Sequence, residues 1–297
     1  MVYLRLMGGL GNQMSQVAYA YIIAEQNHEN LLIDTSSYKR NKLRKCSIFK
    51  FELDHKVFQF ESDTNYAFCR LFQIIYHIYV RIFYPKKQVG RNTFEKLALK
   101  GHYYSFDSDY YGFPKSLKKN KDVYGYFLSY DCFYPYKNEI KRLFTVKDLF
   151  IDDNVKEYLS VIKKHDCVVS VSLRLQDDYI NNKETNVCSK EYFRKAFDYF
   201  TTNNSDIFFL VFAEDINRAK EFLNSLEVQY VEKCSDVQQL FLMWNCNHYI
   251  ISNSSFSWWG AFLSNNDTAQ IVAPNRWMNN EIDYHTKYFD GMVKIDV

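Results

Sequence analysis

The chain has 297 residues, 47% of them hydrophobic, enough to bury a large core in one or two domains. Its 37 Lys and Arg against 35 Asp and Glu leave a net charge of +2, which excludes a bulk nucleic-acid binder. Seven cysteines (Cys46, Cys69, Cys132, Cys167, Cys188, Cys234, Cys246) show no C-x-x-C and no regular spacing, so reduced thiols in a cytoplasmic protein are expected.

Residues 2–7 alternate apolar and polar, the pattern of a strand, with no basic start and apolar core of a signal peptide before them. Gly8-Gly9-Leu10-Gly11-Asn12-Gln13-Met14 follows at once, and residues 16–25 continue as a helix with an Ala-rich, aromatic face. Strand, glycine turn and helix open a Rossmann-type unit. The glycines allow a tight turn and close approach of a ligand, although the run lacks the full G-x-G-x-x-G spacing. Residues 31–34 are a second strand that ends on Asp34. Residues 40–62 are irregular. Residues 66–84 form the longest apolar segment, and Arg70, Gln73, His77 and Arg81 interrupt it, so it is not a membrane span. Those four recur at helical spacing and make one polar stripe on an otherwise apolar helix, which Pro85-Lys86-Lys87 closes with a basic cluster. Two readings follow: a buried domain helix with a wet stripe, or a helix that rests on a membrane surface.

A polar connection at 145–153, with Asp152 and Asp153 near a helix start, places a domain boundary after residue 150, giving domains 1–150 and 151–297. Residues 167–173, CVVSVSL, are an apolar strand leading into Arg174, whose guanidinium can pair bidentately with a phosphate. A helix over 189–200 starts at the capping residue Ser189. The strand at 207–212, IFFLVF, runs into Ala213-Glu214-Asp215. Carboxylates at a strand end can accept from ribose hydroxyls or a guanine N–H edge. Asp215 is also a natural N-cap for the helix to residue 223, and the roles can coexist; Asp215 is favoured over Glu214 for the ligand.

A short strand at 230–231 precedes a helix over 236–247 with Val237, Leu240, Phe241 and Trp244 on one face. The strand at 249–251 then stops at Ser252-Asn253-Ser254-Ser255, an apolar helix resumes at 258–263, and a last strand occupies 270–273. A hydroxyl-rich turn between a strand end and a helix N-terminus is an anion site, because unpaired backbone N–H groups meet the positive helix end there. A phosphate of a nucleotide-type ligand is therefore expected at Asn253, Ser254, Ser255 and Ser257; a simple capped helix is the alternative. There is no H-E-x-x-H and no G-x-S-x-G, and His248 reads as a packing residue.

The run from Asn253 to Ala261, N-S-S-F-S-W-W-G-A, followed by I-V-A-P-N-R-W, resembles the C-terminal motif of the bacterial α-1,2-fucosyltransferases, glycosyltransferase family 11. The glycine run at 8–14 resembles that family's N-terminal signature. Gly125-Tyr126-Phe127 and Ser129 resemble its G-Y-[WF]-Q-S stretch, with Leu128 in the Gln position. Phe212-Ala213-Glu214-Asp215 resembles its F-S-D-D. The family's H-x-R-R-G-D-Y is eroded here. Ser172 stands at the His and Arg174 at the first Arg, Leu175 replaces the second Arg, Gln176 replaces Gly or marks an insertion, and Asp178-Tyr179 keeps the Asp-Tyr pair.

The resemblance spans nearly the whole chain. It implies an α/β, GT-B-type fold of two Rossmann-like domains facing a cleft, acceptor side first and donor side second. It also implies an inverting transfer of fucose from GDP-fucose to a galactoside hydroxyl, α-1,2, with no metal and no cofactor. Arg174 and the Ser254/Ser255 turn would hold the diphosphate, and Gly9, Gly11 and Asn12 would line the cleft opposite. Asp177 or Asp178 would take the acceptor proton, or would only hold the loop. The acceptor would be an oligosaccharide or lipid-linked glycan of a bacterial surface polysaccharide such as O-antigen, met in the cytoplasm or at the inner face of the membrane. Ser172, Leu175 and Leu128 keep open a related transferase using another nucleotide sugar or linkage, and a non-catalytic glycan-binding or scaffold relative is the second alternative.

Overall fold

The computed structural model describes residues 1–39, 43–60, 67–84, 88–202, 206–224 and 226–297. The basic cluster at 85–87 and part of the irregular stretch at 40–62 lie outside them. The chain divides into two compact units, Met1–Thr145 and Val146–Val297, where sequence patterning places the boundary after residue 150.

The first unit runs β1 (Val2–Arg5), α1 (Leu10–Gln26), β2 (Leu31–Asp34), β3 (Val57–Phe60), α2 (Ala67–Phe83), α3 (Arg91–Leu99), β4 (His102–Ser105), β5 (Lys121–Gly125), α4 (Tyr130–Phe133) and α5 (Lys137–Leu143). All five strands are parallel, in the order β3-β2-β1-β5-β4. The strand order reverses at β1, which pairs β2 on one side and β5 on the other. Helix α1 starts directly after Gly9, earlier than its apolar pattern, and is almost wholly buried.

Helix α2 corrects the sequence reading. Three of its four stripe residues bond groups of the sheet: Gln73 is buried, Arg70 is half-buried, and His77 reaches in from a partly exposed position. Arg70 pairs with the buried Asp34 at 2.7 Å and with Ser36 at 2.6 Å. Gln73 donates to Asp122 at 3.0 Å and accepts from Arg5 at 3.4 Å. His77 bonds the Tyr124 hydroxyl at 2.5 Å. Tyr104 adds a second bond to Asp122. Polar groups can be buried when each finds such a partner, so this helix docks through these hydrogen bonds together with Phe72, Tyr76 and Val80, and turns its leucine and isoleucines outward.

The second unit runs α6 (Asp153–Lys164), β6 (Val168–Ser172), α7 (Asp177–Ile180), α8 (Lys190–Thr201), β7 (Phe208–Phe212), α9 (Ile216–Phe222), β8 (Gln229–Tyr230), α10 (Asp236–Trp244), β9 (His248–Ile250), α11 (Ser255–Phe262), β10 (Ile271–Pro274) and β11 (Val293–Ile295). Its six strands are all parallel, in the order β11-β10-β9-β6-β7-β8. Counted from β6, that is the doubly wound 3-2-1-4-5-6 order. Such strands are buried on both faces and need near-continuous apolar runs, which CVVSVSL and IFFLVF supply. Val169, Val171, Phe209, Val211, Ile250 and Val272 pack under Tyr192, Phe193, Phe197 and Phe200 of α8. On the other face, the Tyr249 hydroxyl donates to Met243 of α10 at 2.9 Å. A Cβ on Gly260 of α11 would meet the Met243 sulfur at 2.7 Å, so glycine lets α10 and α11 close up.

Candidate functional site

In an open parallel sheet, ligands bind outside the carboxyl ends of the strands where the order reverses. In the second unit that point lies between β6 and β9, paired Val171 to Ile250. Arg174 follows one of these strands and Ser252-Asn253-Ser254 follows the other, so the register brings the arginine loop and the serine turn to the same sheet edge. One buried side chain links them. The Arg174 guanidinium lies 4.8 Å over the Tyr179 ring, a cation–π contact, and the Tyr179 hydroxyl donates to Asn253 Oδ1 at 2.5 Å.

The serine turn divides into inward and outward groups. Asn253 is buried, and its Nδ2 donates to the carbonyls of Thr185 at 3.0 Å and Trp277 at 2.7 Å. Tyr179 in turn accepts from the backbone of Val187 and Cys188. Asn253 is therefore a brace that joins three loops. Ser257 is also buried, donating to the carbonyls of Ser252 at 3.0 Å and Ser254 at 3.1 Å. Ser254 and Ser255 are half-buried, and Ser254 caps α11 by accepting from Phe256 N–H at 3.2 Å. The helix N-terminus and these two hydroxyl residues form the turn's outward face, where an anion would be met by N–H donors.

On the other side of β6, Glu214 and Asp215 follow the end of β7 at Phe212. Glu214 is exposed, and Asp215 caps α9 through Arg218 N–H at 3.0 Å. Arg218, which sequence reasoning missed, reaches back to the arginine loop. Its Nη1 donates to the Leu175 carbonyl at 2.6 Å and to Asp177 at 2.9 Å. A second guanidinium thus stands beside the position where Leu175 replaces the resembled motif's second arginine. Asp177 and Asp178 both sit exposed at the start of α7, with Asp177 engaged by Arg218. Nothing local in the sequence links Arg218 to a loop more than forty residues earlier; only the adjacency of β6 and β7 does.

In the first unit the glycine run follows β1, again where the strand order reverses. Gly8 has φ +81°, and a Cβ there would meet Asn12 Nδ2 at 2.8 Å. Gly9 is the N-cap of α1; Gly11 and Asn12 lie in its first turn, with Gly11 buried and Asn12 half-buried. The signature's Gln13 is buried. It donates to the carbonyls of Gly8 and Lys45 and accepts from the N–H groups of Ser47 and Ile48. Among the described residues no group of three or more His, Cys, Asp or Glu side chains could hold a metal ion.

A model described as Glycosyl transferase family 11 matches residues 1–291. The α-1,2-colitosyltransferase of Escherichia coli is 29% identical over 293 residues, covering 94% of this chain and 93% of its own. The O-antigen biosynthesis glycosyltransferase WbnK of the same species is 26% identical, covering 93% and 94%. Among solved structures, the α-1,6-fucosyltransferase NodZ from Bradyrhizobium, in a crystal soaked with GDP-fucose, matches with a TM-score of 0.56 at 13% identity. That match covers 94% of this chain and 96% of NodZ, and it bears out the α/β, GT-B-type fold. Since the family model runs almost from end to end, and the sequence landmarks stand in order at the reversal points of two parallel sheets, this chain belongs to glycosyltransferase family 11.

Proposed function

We propose that this glycosyltransferase moves fucose from GDP-fucose to a galactoside hydroxyl in an α-1,2 linkage, during assembly of a bacterial surface polysaccharide such as O-antigen. The observation that carries the reading is the meeting of Arg174 with the outward face of the serine turn at one sheet edge. The crystal of NodZ soaked with GDP-fucose and the E. coli names support the donor class, the linkage and the polysaccharide context.

In this reading the acceptor hydroxyl oxygen attacks the anomeric carbon, the bond from that carbon to the diphosphate oxygen breaks, and the configuration inverts. The departing GDP gains negative charge, which Arg174 and the α11 N-terminus stabilise where it develops. Arg218 adds the charge that Leu175 no longer supplies. The acceptor proton passes to a carboxylate at the start of α7, Asp177, which pairs with Arg218, or Asp178 beside it. Asp215 and Glu214 face the nucleoside. The acceptor is an oligosaccharide or a lipid-linked glycan.

A second reading keeps the site and changes the sugar: the colitosyltransferase relative favours GDP-colitose as donor. Titration of GDP by calorimetry, followed by turnover of GDP-fucose and GDP-colitose on a galactoside acceptor, tests both. Removing a charge-assisted contact costs about 1.5–3 kcal/mol, so Arg174→Ala is expected to weaken GDP roughly tenfold to a hundredfold. Arg218→Ala, whose guanidinium is held by the Leu175 carbonyl and Asp177, is expected to weaken it only severalfold. Turnover of the colitose donor alone selects the second reading. GDP binding without turnover on any acceptor selects a non-catalytic glycan binder. Absence of GDP binding overturns all of these readings.

A further inference from the structure

Docked by its polar side, α2 presents Leu71, Ile74, Ile75, Ile78, Ile82 and Phe83 outward, each between 51% and 64% exposed. At helical spacing they form one continuous ridge along the helix. Scattered exposed apolar residues are ordinary on a soluble surface, but a contiguous ridge of six marks an interaction surface. Arg81, three residues on from Ile78 and seven from Ile74, is exposed at the ridge's edge and makes no ion pair among the described residues.

Charge chooses between the occupants such a ridge could take. Residues 1–145 hold 22 Lys and Arg against 13 Asp and Glu, a net of +9, whereas residues 146–297 hold 15 against 22, a net of −7. The ridge therefore belongs to the strongly positive unit of a nearly neutral chain. A second copy docking α2 on α2 would bring two such positive units together, and their repulsion opposes it. An anionic lipid surface attracts the unit and accepts the ridge, while the Arg81 guanidinium can stay at headgroup level. No helix among the described residues is long and apolar enough to cross a membrane, so the contact is one of lying on the surface.

We propose that α2 is a peripheral anchor: its ridge beds into the headgroup–acyl boundary of an anionic phospholipid layer, with the positive charge of residues 1–145 turned to the headgroups. The inference does not rest on the identity of the donor. The test is co-sedimentation of the full chain with vesicles of phosphatidylcholine alone and of phosphatidylcholine mixed with phosphatidylglycerol, at low and high salt. The wild type is expected on the mixed vesicles roughly tenfold or more in excess of the neutral ones, with that excess falling as salt screens the charges.

Ile74→Ser/Ile78→Ser is expected to reduce binding roughly tenfold or more through lost apolar burial. Lys195→Ala, on the outer face of α8, should leave it unchanged. Thermal melts check the fold, and Leu71→Gln/Ile82→Gln repeats the measurement at other positions of the ridge should the first variant melt early. Three outcomes overturn the proposal: no vesicle binding by the wild type at low salt, binding that ignores both ridge variants, or a wild-type dimer that the ridge variants turn to monomer without any vesicle association.

Discussion

Helix α8 drives Phe193, Ala196, Phe197 and Phe200 into its sheet and leaves Arg194 outside, paired with Glu191 at 2.6 Å and Asp198 at 2.8 Å. Helix α2 does the reverse, sending Arg70, Gln73 and His77 inward and its isoleucines outward. Both helices are strongly two-faced in sequence. What differs is the surface beneath them. The sheet under α8 offers valines and phenylalanines; the sheet under α2 offers Asp34, Asp122 and Tyr124. A two-faced helix declares an axis, and the complementarity of its partner decides which end of that axis points in.

Four measurements would sharpen or break this contrast. The largest effect is expected from Phe193→Ala, which removes a ring packed against Tyr192 and Phe222. It should cost about 3–5 kcal/mol in urea unfolding, and a loss below about 1 would mean that α8 is not held by its apolar face. Gln73→Ala removes the amide donor to the buried Asp122 and the acceptor of Arg5, and should cost about 1–3 kcal/mol. A neutral result there would mean that the polar docking of α2 adds nothing.

Ile78→Ser, on the ridge, is expected to change stability in solution by no more than about 0.5 kcal/mol, matching Lys195→Ala on the outer face of α8. A large loss would show the ridge to be covered within the protein itself. The smallest effect concerns pH. Burial first, and the Arg5 charge second, hold the His77 pKa below the ordinary imidazole value. A histidine lowered on folding contributes stability that is present above its unfolded pKa of about 6.5 and is lost as pH falls from there through the folded value. Mild acidification should therefore slightly lower the urea midpoint, and His77→Gln should flatten that slope. An unchanged slope would assign the acid sensitivity to another group.

The second unit was the more legible of the two, for a physical reason. Parallel strands buried on both faces must be apolar throughout, so 168–172 and 208–212 announce themselves. Ser189 and Asp215 sit as caps where their side chains predict them. In the first unit β4 and β5, HYYS and KDVYG, carry the buried polar groups that α2 satisfies, and periodicity does not recognise a strand whose buried positions include Lys121 and Asp122. The glycine run was readable as a turn, but not the clamp made by Gln13, because its partners at Lys45, Ser47 and Ile48 come from a distant loop. In the candidate site, Arg174 and the serine turn were visible as motifs. The inward turn of Asn253 and Ser257 and the arrival of Arg218 depend on contacts between elements that no short window of sequence contains.

The brace at Asn253 has a consequence for how such a site can change over time. Tyr179, Asn253 and the carbonyls of Thr185 and Trp277 fix three loops from beneath, using groups that face away from the ligand side. Positions 174–176, 254 and 255 are the partly exposed residues of the same loops. A substitution among them leaves the hydrogen bonds of Asn253 to Thr185 and Trp277 in place. Leucine at position 175, where the resembled motif has arginine, is compatible with the fold for that reason, and the loop keeps a stable support beneath a face whose side chains can vary.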